Sequence, residues 1–353
     1  MNLYKSLIFI LYLGIFLGSG FRTPAQSRDS ITLYGTLDTV QVIRQRIQHA
    51  NEANAGARVT HISPAILQAN KTRSLAELLT DHTSIYIKSL GTGALSTASF
   101  RGTSASQTRV NWNGINITPP LSGTFDFSQI PVFFTDNINL YYGSSHVKNG
   151  TGAIGGSVNL FTDTDWNRGV NGRVLAEYGS YNTYTVGGQA NISGNKSASK
   201  TRLYYQHSDN DYTYLNKVLT NIPFREKRQD AAYSQFGIMQ EGYFRVSPYT
   251  RLTAVAWYQK NHRNLPQPLG VVNRSQEDQE ENNFRGYAGL DFSRGIHELH
   301  VKAAWLYFCQ TYDIRYDGGL FDPKGNKNRS NTAQVVADYT YSPTDKLILN
   351  TTL

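Results

Sequence analysis

The stretch Gly143–Thr162 reads Gly-Ser-Ser-His-Val-Lys-Asn-Gly-Thr-Gly-Ala-Ile-Gly-Gly-Ser-Val-Asn-Leu-Phe-Thr and divides the chain in two. Short elements punctuated by glycine precede it, and long segments of alternating apolar and polar residues follow it. Gly150, Gly152 and Gly155 have the G-x-G-x-x-G spacing of a dinucleotide-binding loop. That loop requires a helix that opens inside the motif and holds the pyrophosphate at its N-terminus. Because Ser157–Phe161 has a strand pattern instead, we interpret these glycines as permitting tight turns and close backbone approach.

The composition indicates an exported, β-rich protein. Only 17% of the 353 residues are charged, while 30 are Gly and 23 are Tyr, which favours strands over helices. A basic start, an apolar run at Leu7–Leu17 and small residues before Gln26 predict a secretory signal peptide over residues 1–25. Cys309 is the single cysteine, so no intramolecular disulfide can form. The basic residues are scattered, which argues against a nucleic-acid surface.

Residues 58–164 predict a compact α+β domain. Ser63-Pro64 starts a helix, and Thr72 or Ser74 caps a second helix over Leu75–Leu79. Short strands follow, and Asn113-Gly114 between two of them is a strong hairpin signal.

Residues 165–353 predict antiparallel strands of a transmembrane β-barrel. Segments of about ten residues alternate between apolar and polar side chains and carry aromatic residues at their ends. Short turns at Ser247–Thr250 and Arg294–Ile296 alternate with long polar connections. These long connections are predicted at Tyr212–Ala231, Asn261–Glu281 and Asp317–Asn331. A soluble β-sandwich also alternates, but the strand length and the rhythm of turns favour the barrel.

Catalytic patterns are sparse. His61, His82 and His146 have no partners at metal-ligand spacing, and Ser104 and Ser106 lack the surroundings of a nucleophile elbow. We therefore expect no catalytic residue, no metal site and no cofactor, and the chain is predicted not to be an enzyme. An outer-membrane enzyme with a barrel fold is the alternative.

Several motifs then occur in the order typical of one domain family. They are Ser-Leu-Ala-Glu-Leu-Leu at 74–79, Ile-Tyr-Ile at 85–87, Ser-Phe-Arg-Gly at 99–102, Val-Asn-Trp-Asn-Gly-Ile at 110–115, Asp-Phe-Ser-Gln-Ile-Pro at 126–131 and Gly-Ala-Ile-Gly-Gly-Ser-Val-Asn-Leu at 152–160. On these motifs residues 37–164 resemble the TonB-dependent outer-membrane receptors, in which a plug domain fills a barrel. Leu37–Ile43, in the extension at 26–57, looks like the TonB box of that family; an edge strand of the plug is the alternative. The TonB-box residues would be Asp38, Thr39, Val40, Gln41 and Val42.

The resemblance implies a function as well as a fold. It implies active uptake, across the outer membrane of a Gram-negative cell, of a scarce ligand too large for porins. The Ser-Phe-Arg-Gly and Trp-Asn-Gly-Ile-Asn-Ile variants resemble a branch associated with cobalamin; a ferric-siderophore receptor or a non-transporting adhesion or partner-binding protein are alternatives. The implied partners are TonB with its inner-membrane energising complex, outer-membrane lipid, and a cobalamin-like or metal-chelate ligand, with a surface lipoprotein as a further candidate.

The resemblance also assigns residues. The ligand-facing plug loops would contribute Gly93, Leu95, Ser96 and Thr97 from the first loop, and Pro119, Pro120, Leu121 and Ser122 from the second. The structural positions of the plug would be Arg101, Gly102, Gly114, Gly155 and Gly156. Asn139 and Tyr142 stand where many family members have charged residues that join plug to barrel, so other contacts are expected to replace these.

The part after the plug is short for a receptor barrel. The residues after Gly172 suffice for about eight strands with their loops, whereas receptors of this kind have roughly 22. An open sheet edge is not stable in hydrocarbon. We therefore expect the chain to be the N-terminal part of a longer receptor. A small eight-stranded barrel is the alternative, although it could not enclose the plug.

Overall fold

The computed structural model describes residues 58–143, 153–218, 223–269, 275–316, 324–344 and 347–352. All of them belong to one compact unit, Asn54–Leu353. The predicted signal peptide at 1–25, the extension at 26–57 with its TonB box, and the glycines at 150 and 152 lie outside the described residues.

Residues 58–161 form an α+β domain, which we call the plug. Its elements are β1 (Arg58–Ile62), α1 (Pro64–Ala69), α2 (Leu75–His82), β2 (Tyr86–Ser89), β3 (Ser96–Ser99), β4 (Thr108–Trp112), β5 (Ile115–Asn116), β6 (Asn137–Tyr142) and β7 (Gly156–Phe161). Five strands make a mixed sheet in the order β1-β6-β7-β4-β5, in which β4 and β7 are parallel. The hairpin of β2 and β3 is separate. The segment after Gly155 is therefore a strand, as the sequence predicts.

Local signals explain where the helices and the hairpin of the plug begin. The hydroxyl of Ser63 accepts a hydrogen bond from the backbone N–H of Ile66 at the start of α1. Ser74 caps α2 in a capping box, because its hydroxyl accepts from the N–H of Glu77 and the Glu77 carboxylate accepts from the N–H of Ser74. Asn113 and Gly114 both have positive φ, 50° and 85°, which a tight hairpin requires. Neither helix in the described ranges has the length and apolarity needed to cross a membrane.

Residues 169–352 form an antiparallel sheet, which we call the wall. Its nine strands are β8 (Gly169–Gly179), β9 (Thr183–Ser193), β10 (Ser197–Ser208), β13 (Tyr233–Ser247), β14 (Thr250–Asn264), β15 (Ser275–Arg294), β16 (His297–Tyr316), β17 (Lys324–Thr344) and β18 (Leu347–Thr352). A small hairpin of β11 (Thr213–Asn216) and β12 (Phe224–Lys227) stands between β10 and β13. Consecutive wall strands pair with each other, and the described sheet is open, with β8 and β18 at its edges.

The wall has apolar residues on the face turned away from the plug. Val186, Ile192, Trp305 and Val335 are 51–62% exposed on that face. On the opposite face, Trp257 lies against plug residue Trp112, with ring centroids 5.4 Å apart. A soluble sandwich would bury its apolar face, so this orientation is that of membrane strands around a filled lumen. The fold is thus an α+β plug followed by antiparallel barrel strands that do not close into a complete barrel in this chain.

Two of the predicted long connections are mostly strand, which corrects the prediction for Asn261–Glu281 and Asp317–Asn331. β14 continues to Asn264, β15 begins at Ser275 and β17 begins at Lys324, so β15 to β17 are 20 or 21 residues long. These extensions are polar on both faces, and apolar periodicity therefore gives no signal for them. The backbone ladder and outward-facing ion pairs, such as Lys260–Glu280 at 2.8 Å, continue the strands.

The connections define two ends of the wall. We call the end where β10 leads to β13, β14 to β15 and β16 to β17 the long-loop end. The opposite end, where β13 leads to β14 through residues 248–249 and β15 leads to β16 through residues 295–296, is the short-turn end.

Candidate functional site

Asp136 of the plug is held by two cations from β10, toward the short-turn end. Lys200 Nζ lies 3.0 Å from the Asp136 carboxylate, and Arg202 donates to the same oxygen. Arg202 is fully buried, donates to the carbonyl oxygen of Phe133 at 3.1 Å, and faces the buried carboxylate of Glu241 on β13 at 3.3 Å. The plug therefore inserts one carboxylate into a charged cluster of the wall. We call these four residues, Asp136, Lys200, Arg202 and Glu241, the Asp136 cluster.

Two plug groups in this region have shifted pKa values. Burial acts to raise the pKa of Asp136, but the positive charges of Arg202, Lys200 and Lys71 outweigh it and hold that pKa below its ordinary value. Lys71 is buried in the plug and donates to the carbonyl oxygen of Thr135 at 2.5 Å. Burial lowers the pKa of Lys71 to about 8, although the charge of Asp136 opposes this shift. Asp136 is thus ionised throughout the physiological pH range.

A second plug–wall contact lies nearer the long-loop end, at the turn Asp126–Gln129. Asp126 Oδ2 accepts from Arg263 Nη1 of β14 at 2.7 Å. Asp126 Oδ1 accepts from the backbone N–H of Ser96 at 3.0 Å and of Ser128 at 3.1 Å. One carboxylate therefore joins the first predicted ligand loop, its own turn and the wall.

Amide side chains of β13 and β14 complete this second contact. Gln235 donates to the carbonyl oxygen of Ser128 at 2.9 Å, and Gln259 donates to the carbonyl oxygen of Gln129. Asn261 donates to the side-chain oxygen of Gln129 at 3.0 Å. These donors satisfy the backbone of a buried turn that forms no sheet ladder. We call Asp126–Gln129 with these wall donors and Arg263 the Asp126 clamp.

The first predicted loop lies against β10 and β13. The ring of Tyr233 contacts Gly93, whose φ is +70°, so a side chain has no room there. Asn210, after β10, donates to the carbonyl oxygen of Thr92 at 3.0 Å. Gly93 and Ser96 line a cavity of about 210 Å³ between α2 and the wall. Leu95 is exposed and Thr97 lies in β3.

The second predicted loop lies against β15, β16 and β17. Pro119 and Pro120 line a cavity of about 200 Å³ shared with these strands. Leu121 is 58% exposed, and the hydroxyl of Ser122 donates to the carbonyl oxygen of Thr124. The two predicted loops thus line different cavities.

The predicted structural glycines lie where a side chain is disfavoured. Gly102 and Gly114 have φ of 79° and 85°. A Cβ at Gly155 would overlap the Thr103 side chain, and one at Gly156 would lie 2.5 Å from the carbonyl oxygen of Tyr141. These contacts fit the turns and close approach inferred from the sequence.

The positions that depart from the family pattern make contacts within the plug. The guanidinium groups of Arg58 and Arg101 lie 5.0 and 5.9 Å from the ring centroid of Tyr142. The side chain of Asn139 forms a hydrogen bond with His61 at 2.8 Å. In the described residues the charged contacts from plug to wall are made instead by Asp126 and Asp136.

Sequence reasoning missed these two contacts. Asp126 was noticed only as part of a motif, and Asp136, Arg202 and Glu241 were not singled out. A usable signal exists for Arg202 and Glu241, because each falls on the polar face of an alternating strand and an ionisable group in a membrane strand is costly unless paired. Among the described residues, no group of three or more His, Cys, Asp and Glu could hold a metal ion.

This geometry defines a class of protein: an α+β domain held by charged and amide contacts against the inner face of membrane strands. Residues 51–157 match the TonB-dependent Receptor Plug Domain. The chain belongs to the TonB-dependent outer-membrane receptors, of which it contains the plug and part of the barrel. The proteins of this family are receptors and transporters, not enzymes.

Curated relatives agree with this assignment. The chain is 32% identical over 135 residues to the vitamin B12 transporter BtuB of Photobacterium profundum, which covers 38% of this chain and 22% of that protein. It is 32% identical over 126 residues to the protein of the same name in Vibrio cholerae, covering 35% and 20%. The match thus spans about a fifth of the length of these relatives.

Solved structures share the fold. The FrpB iron transporter of Neisseria meningitidis superposes with a TM-score of 0.65 at 13% identity, covering 83% of this chain and 47% of that one. The ferric-catecholate import receptor Fiu of E. coli gives a TM-score of 0.63 at 12% identity, covering 84% and 48%. At this identity the likeness concerns the fold alone.

Proposed function

We propose that this protein takes up a scarce, large, cobalamin-like ligand across the outer membrane, driven by the proton gradient through TonB. The observation that carries the proposal is a plug that fills the inner face of the wall and is fixed there by two charged contacts, the Asp136 cluster and the Asp126 clamp. A plug held in this way blocks diffusion, so passage requires work on the plug. The preference for a cobalamin-like ligand rests on the 32% identity to vitamin B12 transporters.

In this proposal TonB binds residues 38–42 by strand addition. Main-chain hydrogen bonds supply the affinity in that mode of recognition, and the β-branched residues of Thr39–Ile43 favour an extended conformation. The signal peptide at 1–25 directs export, the plug extends over 58–164, and the barrel strands begin at 165.

A proline substitution tests the TonB box. Val40→Pro removes a backbone donor and should abolish uptake of labelled cyanocobalamin while binding to cells is retained. Gln48→Pro, in the same extension but outside the box, is the matched control and should transport normally. Normal uptake by Val40→Pro would refute the role of the box.

The two plug loops are proposed to contact the ligand from the long-loop end. Both are uncharged, and the second carries two prolines, which lower the entropy lost on binding. Alanine at each position of 119–122 should weaken cyanocobalamin binding. If affinity is unchanged, the second loop has no role in recognition.

A further inference from the structure

A cleft lies beside the first plug loop, toward the long-loop end. Two adjoining cavities share Gly93, Tyr233 and Gln235 as lining residues. The larger is the cavity of about 210 Å³ described above, and the smaller recess also reaches Asn261 and Glu281. We call the two together the Gly93 cleft.

The recess contains buried acceptors that lack donors. Gln235 and Asn261 are each 5% exposed, and both use their amide N–H groups on the plug, at Ser128 and Gln129. Within the described ranges, Gln235 Oε1 and Asn261 Oδ1 have no hydrogen-bond partner. A buried acceptor without a donor is costly. Because both amides are oriented by their bonds to the plug, the cleft offers oxygen atoms to whatever enters it.

The charged groups around the cleft leave carboxylates in excess. Arg73 is paired with Asp81 at 2.7 Å, and Arg263 is paired with Asp126. Two further lining carboxylates, Glu77 and Glu281, have no cation within ion-pair distance among the described residues. Glu77 is bound by Ser74, and Glu281 by Gln279 and Gln310.

The plug surface beside the cleft adds no positive charge. Residues 89–100 and 111–125 contain no ionisable side chain. In the other cavity, next to Pro119, the cation is Arg285, whose guanidinium lies over the ring of Trp257 at 4.4 Å and donates to Gln259 at 3.0 Å. That cation is therefore engaged within the wall.

We propose that the Gly93 cleft binds a hydrogen-bond-donating part of the ligand, and that the ligand is neutral or cationic. A polyanionic metal chelate would meet unpaired carboxylates and acceptor oxygens there, with no free cation to compensate. This inference rests on the proposed receptor function, because it concerns the ligand of that receptor. It adds a charge class that identity to relatives does not supply.

The test compares ligands of one shape and different charge. Binding to outer-membrane vesicles that contain the full chain is measured with neutral cyanocobalamin, cationic aquacobalamin and an anionic cobalamin monocarboxylate. We expect the anionic derivative to bind about tenfold more weakly than the neutral one, the equivalent of roughly 1.4 kcal/mol. A neutral ferric hydroxamate and a polyanionic ferric catecholate form a second series of probes, with the same order expected.

Matched variants locate the effect. Glu281→Gln should reduce the discrimination against the anionic ligand several-fold. Glu280→Gln removes the neighbouring carboxylate, which faces outward and pairs with Lys260, and should leave the discrimination unchanged. If the anionic probe binds as tightly as the neutral one, or if both variants behave alike, the charge class is wrong while the receptor function stands. If no probe of either series binds, the proposed function fails, and this inference fails with it.

Discussion

At the scale of single residues, the plug and the wall fit because a glycine leaves room for a ring. Gly237 of β13 faces Phe134, and a Cβ there would lie 2.6 Å from the ring atom Cζ. Phe134 in turn lies against Trp257, with ring centroids 5.3 Å apart. The space for one methyl group thus decides how closely the plug approaches the wall.

Substitution of this glycine should loosen the plug. Gly237→Ala forces the Phe134 ring to move, and overpacking of this kind costs about 1–3 kcal/mol. The measurement is the urea midpoint of the purified protein, followed by the fluorescence of Trp112 and Trp257 at the interface. Gly188→Ala, in β9, is the control, because no atom lies within 4 Å of its Cβ. Equal midpoints for the two variants would contradict the packing argument.

Asp136 should make the docking of the plug sensitive to acid. Because its folded-state pKa lies below the ordinary value of about 3.9, its ionised form stabilises docking above that pH, and this stabilisation is lost as the pH falls below about 4. Asp136→Asn should lower the urea midpoint near neutral pH and remove this part of the acid dependence.

The control for Asp136 is Asp165→Asn. Asp165 and Arg168 form an exposed pair, with side chains 63% and 65% accessible, so this change should have little effect. Midpoint curves for wild type and Asp136→Asn that run parallel from neutral to acid pH would show that the carboxylate does not hold the plug.

Residue identities in the sequence predict the type of contact but not its partner. The strand alternation indicates that Arg202 and Glu241 face the lumen. That Arg202 meets Asp136, however, depends on how the plug is seated in the wall, which no local pattern contains. The departures at Asn139 and Tyr142 predict that other residues join plug to wall, and the structure supplies Asp126 and Asp136.

At the scale of elements, the turn Asp126–Gln129 is the part of the plug most dependent on the wall. Its backbone carbonyl groups accept from Gln235 and Gln259, while Asp126 accepts from Arg263. This turn also holds the first ligand loop through the N–H of Ser96. Movement of the loop and movement of the clamp are therefore linked.

Removal of the clamp cation tests this dependence. Arg263→Met leaves Asp126 buried without its cation, and breaking a buried pair in this way costs about 3 kcal/mol or more. Lys260→Met on the same strand removes an outward, partly exposed pair with Glu280 and should cost less than about 1 kcal/mol. Hydrogen exchange of the amides of 96–98 and 126–129 measures the effect. Equal protection in the two variants would contradict the clamp.

The elements themselves were largely predictable where a local signal exists. The caps at Ser63 and Ser74 and the turn at Asn113-Gly114 identified both helices and the hairpin. The upper parts of β15 to β17 were not predictable in this way, because both faces are polar and the strands are continued by cross-strand pairing rather than by burial.

At the scale of the whole molecule, the plug and the wall together make a closed passage that opens only when the plug is moved. The order of elements, with the plug first and the membrane strands after it, was predictable from motifs and alternation. The ligand was not, because plug motifs report the architecture rather than the occupant.

The dependence of uptake on the proton gradient tests the central claim most directly. Cells that express this receptor are given labelled cyanocobalamin, and accumulation is measured before and after an uncoupler collapses the gradient, with surface binding measured in parallel. We predict that accumulation stops while surface binding is unchanged. Accumulation that continues at the same rate without the gradient would contradict active, TonB-coupled uptake.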